Sequence, residues 1–311
     1  MAWTSKSMRA NGPAGGARLG VVVVSYNTVD LLDRCLSSLV AELPRAPSPA
    51  DVWVVDNASR DGSADMVRER HGWARLLALH ANVGYAAAAN IALRAFMGQR
   101  SGPAPEGPPT DWSLVLNADA ALEHGALAGL ISALSDDPRA AVAGPRLRFP
   151  DGRFQHGAFR FPGLMQTWLD LFPQARLADS ALNGRYPPRL YDSGLPFVVD
   201  FPLGACMLVR TAAMRGVGLM DEGFFLYCEE VDWCRRFRAA GHIALCVPEA
   251  VVTHHSGAST GPAGPSVRAA LWQSRLRYFA KHEPAWRYAL LAVSIHVGLA
   301  LRAQAVVGPQ H

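Results

Sequence analysis

Gly20–Ser25 reads GVVVVS, a run of β-branched residues with no polar alternation. Such side chains favour extended backbone, and a strand with no polar face must be covered on both sides. Covering of that kind belongs to parallel sheets flanked by helices, so this run narrows the fold to the α/β class. The following segments repeat the logic. Asp30–Val40 carries Leu31, Leu32, Cys35, Leu36 and Leu39 at helical spacing, and Val52–Val55 is a second strand ending at Asp56. Asp61–Arg70 reads as a helix capped by Ser59 or Asp61, Leu76–Leu79 as a third strand, and Tyr85–Met97 as an Ala-rich helix. This β-α-β-α-β-α order predicts right-handed crossovers and ligands at the carboxyl ends of the strands.

Ser101–Thr110 (SGPAPEGPPT) is a surface loop rather than a domain boundary, because strand Trp112–Leu116 follows at once and belongs to the same sheet. Helix Glu123–Leu134, strand Ala140–Gly144, strand-like Leu203–Arg210 and helix Asp232–Ala240 follow. Pro150–Pro202 between them is expected to be irregular and to supply substrate-binding loops. The C-terminus differs in kind. Val267–Ala280 is amphipathic, and Tyr288–Leu301 runs 14 residues without a charge between Arg287 and Arg302. A bilayer takes about 20 apolar residues to span, so an interfacial helix fits this run, as does a helix packed on the body. The expected organisation is a disordered lead over 1–18, a catalytic domain over 19–264 and a helical tail over 265–311.

Charge follows that division. The net charge of +4 divides into +3 over the first 18 residues, +5 from Arg268 to Arg302, and −4 over the interior. A mildly acidic body provides no nucleic-acid groove, while a basic, apolar tail suits peripheral contact with an anionic membrane surface. The five cysteines form no CxxC pair and the N-terminus lacks an apolar signal region, so a reducing, cytoplasmic setting is expected, at the inner face of the plasma membrane if the tail binds there.

Chemistry concentrates in two places. Leu114–Asp119 (LVLNAD) is an apolar run that stops at a carboxylate, and Phe224–Ser259 holds Glu229, Glu230 and Asp232 followed by His254 and His255. An acid at the carboxyl end of a strand is placed to hold a divalent cation over two phosphates, although such a triplet also makes an ordinary turn or cap. Acids opening a helix are favoured by its dipole, and pressed against aromatic side chains they raise one another's pKa, which suits a base. A neutral His254 on a turn would complement Asp119 on the cation. Asp56 either accepts a hydrogen bond from a base or ribose, or caps the next helix. Trp112, Tyr85 and the Phe154–Trp168 aromatics are candidates to stack on sugar faces or to fill the core.

The ordered series VVVVSYNTVDLLDRCLSSL, VVDNASRDGS, NVGYAAAANIAL, LVLNAD, MDEGFFLYCEEVDWCRR and HHSGAS resembles the family 2 glycosyltransferases with the GT-A fold, in particular their rhamnosyltransferase-like branch. The resemblance covers about Leu19 to Thr260. It implies an open, mostly parallel sheet and an inverting enzyme that uses Mg²⁺ or Mn²⁺ and a nucleotide-sugar donor, dTDP-L-rhamnose ahead of UDP- and GDP-sugars. The implied acceptor is a saccharide or lipid-linked saccharide of the cell surface. Carried over, Ser25, Tyr26, Asn27, Asp56, Asn82, Gly84, Asn117 and Asp119 would bind the nucleotide sugar, and Asp119 and His254 the metal. Glu230 would be the general base, and Glu229 with Asp232 would hold the acceptor. The chain departs from the family in Asn117 for an acid, in Ala118 and Ala120 for the frequent Pro and Thr, and in Glu230 for the usual Asp. Rival readings are a sugar nucleotidyltransferase, which should carry a Gly-rich basic loop where this chain has SYNTVD, and a catalytically degenerate sugar-binding relative.

Overall fold

β1 (Leu19–Ser25) is buried along its whole length and lies between β2 (Ala50–Asp56) and β4 (Trp112–Asn117), parallel to both. The computed structural model describes residues 17–46, 49–99, 109–256 and 265–307. Most of the expected lead, the greater part of the Ser101–Thr110 loop and Gly257–Ser259 of the HHSGAS segment lie outside those residues.

The unbroken valine run has the two-sided cover it requires. Val21 and Val23 pack with Leu32, Leu36 and Leu39 of α1 (Val29–Glu42), while Val22 and Val24 face Ala88, Ala89 and Ala92 of α3 (Tyr85–Phe96). α2 (Ser63–Arg70) leads to β3 (Arg75–Ala78), which extends the parallel set beyond β2. α2 begins two residues later than its pattern implied. Asp61 acts just ahead of it, accepting from the Ser63 N–H at 3.0 Å.

Past β4 the sheet becomes mixed. β11 (Cys206–Arg210) inserts antiparallel between β4 and β6 (Ala140–Arg148), β12 (Ile243–His254) runs parallel to β6, and β5 (Ala120–Leu122) closes the edge antiparallel to β12. The order is therefore β3-β2-β1-β4-β11-β6-β12-β5. α4 (Ala126–Asp136) begins three residues after its expected start, and α7 (Thr211–Val217) follows β11. The stretch expected to be irregular carries short elements instead. β7 (Phe154–Gln155) pairs with β6, β8 (Ala158–Phe159) with β10 (Phe201–Pro202), and β9 (Phe197–Val199) with β12. α5 (Leu164–Leu171) and α6 (Pro188–Asp192) lie between them. Edge pairing with β6 and β12 supplies the backbone partners that isolated loops would lack.

α8 (Glu229–Ala239) starts three residues before the expected Asp232, so Glu229 and Glu230 occupy its first turn. The C-terminal chain forms α9 (Pro265–His282) and α10 (Ala285–Val307), and among the described residues no helix is long and apolar enough to cross a membrane. α10 docks on α5 through Leu291, Ile295 and Gly298, where a Cβ on Gly298 would meet Leu171 at 2.6 Å. α9 is tied to α8 by charge. Asp232 is fully buried and accepts from Arg236 Nε and His282 Nε2, each at 2.8 Å, with Lys281 Nζ also at 2.8 Å. Burial alone would raise this carboxyl, but the bonds from His282, Lys281 and Arg236 prevail and hold its pKa at about 2.

That ion cluster corrects the expectation that Asp232 serves the acceptor: its oxygens are committed to the helix–helix joint. Its stabilising effect is complete above the ordinary value of 3.8 and is lost as pH falls through about 2. Asp232→Asn leaves Arg236 and Lys281 short of their counter-charge and should cost about 3 kcal/mol in urea unfolding at pH 7. The variant should also lose part of the wild-type stability change between pH 4 and 2, and an unchanged urea midpoint would show that the joint carries no energy.

Candidate active site

Strand register sets the first part of the site. Ser25 is paired with Asp56 and Val24 with Asn117, so the carboxyl ends of β1, β2 and β4 bring Ser25, Asp56 and Asn117 to one level. Asp56 is buried: Oδ2 accepts from the Ser59 N–H at 3.1 Å in the turn that precedes α2, and Oδ1 has no partner in the protein. Ser25 shares a 3.1 Å hydroxyl contact with Thr28. Asn27, at φ 53°, accepts on its Oδ1 from the Arg60 N–H at 2.8 Å, while the neighbouring Tyr26 ring is exposed.

The Asn82-Val83-Gly84 turn is fastened to this edge by Asn57, a residue the sequence reading did not single out. Asn57 Nδ2 donates to Asn82 Oδ1 at 2.9 Å, and Asn57 Oδ1 accepts from the Val83 N–H at 2.9 Å. Gly84 has φ 87°, and a Cβ there would meet the Phe225 carbonyl oxygen at 2.7 Å. Glycine is required on both counts. The Tyr85 N–H donates to that same oxygen at 2.9 Å, joining the β1–β3 side of the sheet to the segment that leads into α8.

Asp119 and His254 are brought together by sheet pairing. His254 of β12 registers with Ala120 of β5, and the His255 N–H donates to the Asp119 carbonyl at 3.0 Å. Both side chains are buried, with His254 Nε2 3.4 Å from Asp119 Oδ1. His254 Nδ1 lies 3.2 Å from Gln155 Oε1, an acceptor for an Nδ1 proton, which would free the Nε2 lone pair for a metal bound beside Asp119. Gln155 has no sequence signal; only the pairing of β7 with β6 brings it here. Among the described residues no group of three or more His, Cys, Asp or Glu side chains could hold a metal ion. Two protein ligands suit Mg²⁺ or Mn²⁺ that takes its remaining oxygens from phosphate and water, and the unpartnered Asn117 Oδ1 and Asp119 Oδ1 are consistent with such a group.

The acids of α8 face the same place. Glu230 lies against Gly204, and the adjoining Ala205 carbonyl accepts from the Asn117 N–H at 2.9 Å. Glu229 Oε2, Glu230 Oε2 and the Tyr85 hydroxyl are buried without partners. Burial pushes both carboxyls up, and the charge of Glu230 raises Glu229 further. Tyr85 is pushed well above its ordinary value by burial and then by Glu229, Glu230 and Asp119, so acids from two distant segments act on one hydroxyl. Its ring belongs to the rim of the core, and Trp112 sits at the start of β4, away from the carboxyl ends, under the Arg210 guanidinium. Neither has the open ring face expected for sugar stacking. Glu230 alone of the three α8 acids lines a cleft of about 170 Å³. All five non-glycine residues with positive φ among the described residues, Asn27, Ala58, Tyr227, Cys228 and Ser256, flank these groups. Strain of that kind persists where the surroundings over-determine the backbone, commonly at functional sites.

The chain matches the family described as Glycosyl transferase family 2 over residues 20–215. It is 34% identical over 290 residues, 93% of this chain and 92% of the relative, to the N-acetylglucosaminyl-diphospho-decaprenol L-rhamnosyltransferase of Mycobacterium tuberculosis (strain CDC 1551 / Oshkosh). A shorter likeness, 39% identical over 59 residues, 19% of this chain and 22% of the relative, is to rhamnosyltransferase WbbL of Escherichia coli (strain K12). Among solved structures, the mannosyltransferase PcManGT of Pyrobaculum calidifontis, in complex with GDP-Man and Mn²⁺, superposes with TM-score 0.57 at 17% identity, over 96% of this chain and 78% of that one. GalNAc-T7 with UDP, GalNAc and Mn²⁺ superposes with TM-score 0.59 at 15% identity, over 86% of this chain but 48% of that one. These likenesses establish the GT-A fold and leave no place for the nucleotidyltransferase reading. With a family match over most of its sheet and a relative alike from end to end, the chain belongs to glycosyltransferase family 2 and is a glycosyltransferase.

Proposed function

We propose that this glycosyltransferase moves L-rhamnose from dTDP-L-rhamnose to a saccharide carried on a lipid diphosphate, with inversion, in the synthesis of a cell-surface polysaccharide. The observation that carries this reading is the gathering of unpartnered oxygens from Asp119, Glu229 and Glu230 beside the carboxyl ends of β1, β2 and β4. The rhamnosyltransferase relative, alike over 93% of the chain, supports the choice of sugar and of a lipid-diphosphate acceptor. In this reading residues 19–264 carry the donor chemistry, and the tail from 265, through the helical pair α9 and α10, completes the acceptor side.

Ser25, Tyr26, Asn27 and the free Oδ1 of Asp56 would receive the nucleotide, with Asn82, Gly84 and Asn117 beside the diphosphate. Asp119 and His254 would hold Mg²⁺ or Mn²⁺, which when bound supplies positive charge for the departing diphosphate. Glu230, reachable from the cleft, removes the proton of the acceptor hydroxyl as that oxygen attacks the anomeric carbon. Glu229, buried behind it, orients the acceptor and disfavours a second negative charge. The raised Glu230 carboxyl places the acid limb of kcat above pH 4.5. Glu230→Gln should cut kcat by about 10²- to 10⁴-fold while leaving donor affinity near that of the wild type. Equal turnover in that variant would remove Glu230 from the mechanism.

Contact with the inner membrane surface is part of the same reading. Trp286, Leu290, Val293, Val297 and Leu301 form one exposed stripe of α10, on the side away from the residues that dock on α5. Helical spacing makes them a single apolar face with arginine at each end, the pattern of an interfacial helix. Substituting serine at Trp286, Leu290 and Val293 together should lower binding to vesicles containing anionic lipid by about tenfold or more in a sedimentation assay. Undiminished binding would refute the membrane role.

A further inference from the structure

The cleft that Glu230 lines is lined also by Arg160, Arg185 and Arg275, with Asp170 and Phe159. The arginines come from three separate segments: the turn after β8, the loop before α6, and α9. Arg185 Nε and Arg275 Nη1 are buried with no partner in the protein. Arg185 is held in place by its guanidinium, 4.3 Å from the centre of the Phe159 ring, and Arg160 lies 5.1 Å over Tyr186. Arg275 is anchored through Nη2 to Asp170 Oδ2 at 2.9 Å, which leaves Nη1 to face the cleft.

A buried guanidinium N–H without an acceptor is costly, and two at one cleft call for an acceptor with several oxygens. Three guanidinium groups meet two carboxylates there, Asp170 and Glu230, and burial raises the Glu230 carboxyl, so local charge favours an anion. Planar guanidinium forks match phosphate oxygens in geometry as well as charge. The place of the cluster decides which phosphate. The proposed donor diphosphate belongs at the carboxyl ends of β1, β2 and β4, whereas the cleft that these arginines line includes Glu230 but none of Ser25, Asp56, Asn117 or Asp119.

We propose that Arg185 and Arg275, with Arg160 at the mouth, bind the diphosphate of the lipid-linked acceptor and so hold its sugar against Glu230. The inference rests on the acceptor class given above. It assigns α9 a part in acceptor recognition through Arg275, beyond the residues that match the family, which end at 215. An acceptor lacking diphosphate would leave these guanidinium groups unpaired, so the site discriminates by charge before the sugar is read.

The test is a binding titration that needs no turnover. The full chain, with Mg²⁺ and saturating dTDP to fill the donor end, is titrated with farnesyl diphosphate, farnesol and inorganic pyrophosphate. Farnesyl diphosphate should bind and farnesol should not. Arg185→Gln and Arg275→Gln should each weaken farnesyl diphosphate by about 10- to 100-fold with dTDP affinity unchanged. Arg185→Lys should recover part of the loss, and Arg160→Gln, a change at an exposed position, should show a smaller loss that cannot be blamed on misfolding. Equal binding of farnesol and farnesyl diphosphate, or unaltered affinity in the arginine variants, would overturn the site. Pyrophosphate binding as tightly as farnesyl diphosphate would overturn its assignment to a lipid-linked source. A protein that binds farnesyl diphosphate as expected yet fails to hydrolyse or transfer rhamnose from dTDP-L-rhamnose would keep this site and refute the donor reading instead.

Discussion

The antiparallel pairing of β5 with β12 is the constraint on which the site depends. It sets His254 opposite Ala120, and the neighbouring Asp119 carbonyl then accepts from the backbone N–H of His255. Two side chains far apart in the chain thereby meet at 3.4 Å with no flexible segment between them. A side-chain pair held by sheet hydrogen bonds would lose little further entropy if a group bound there, which is the physical content of preorganisation.

Electrostatics in the first turn of α8 shows how neighbouring acids acquire opposite characters. Glu229 and Glu230 are shut away from water, with the charge of Glu230 acting on Glu229 besides, and both carboxyls rise. Asp232, on the same turn, is buried as well, yet the bonds from His282, Lys281 and Arg236 hold it at about 2. Burial therefore does not decide ionisation; the partners that share the buried space do. The same turn holds the proposed base on its cleft side and the structural acid on the side that anchors α9. Joining both in one turn would couple placement of that base to docking of the C-terminal helices.

The C-terminal helices are consequently more than an appendage. α10 packs on α5 along one face, as a helix docked on the body would, and leaves on another an exposed apolar stripe, the face that the proposed membrane contact would use. α9 contributes Leu271 and Arg275 to the wall of the cleft. In the proposed reaction this arrangement places a lipid-bearing acceptor between a surface-facing helix and the catalytic acid.

Local pattern in the sequence determined the parallel half of the sheet, its helices and the residues at the strand ends, because side-chain periodicity and β-branching act within a few neighbours. The order of motifs from Ser25 to His254 likewise marked the donor end and the acids of α8. Tertiary structure alone decided the rest. Whether Asp232 turned toward substrate or toward Arg236, Lys281 and His282 depended on where α9 docked, and no local signal carries that. Gln155 behind His254, Asn57 beneath the Asn82 turn, and the arginines from three segments around one cleft are contacts between residues distant in sequence. Their meaning arises from strand register and helix docking, which the whole chain settles through burial.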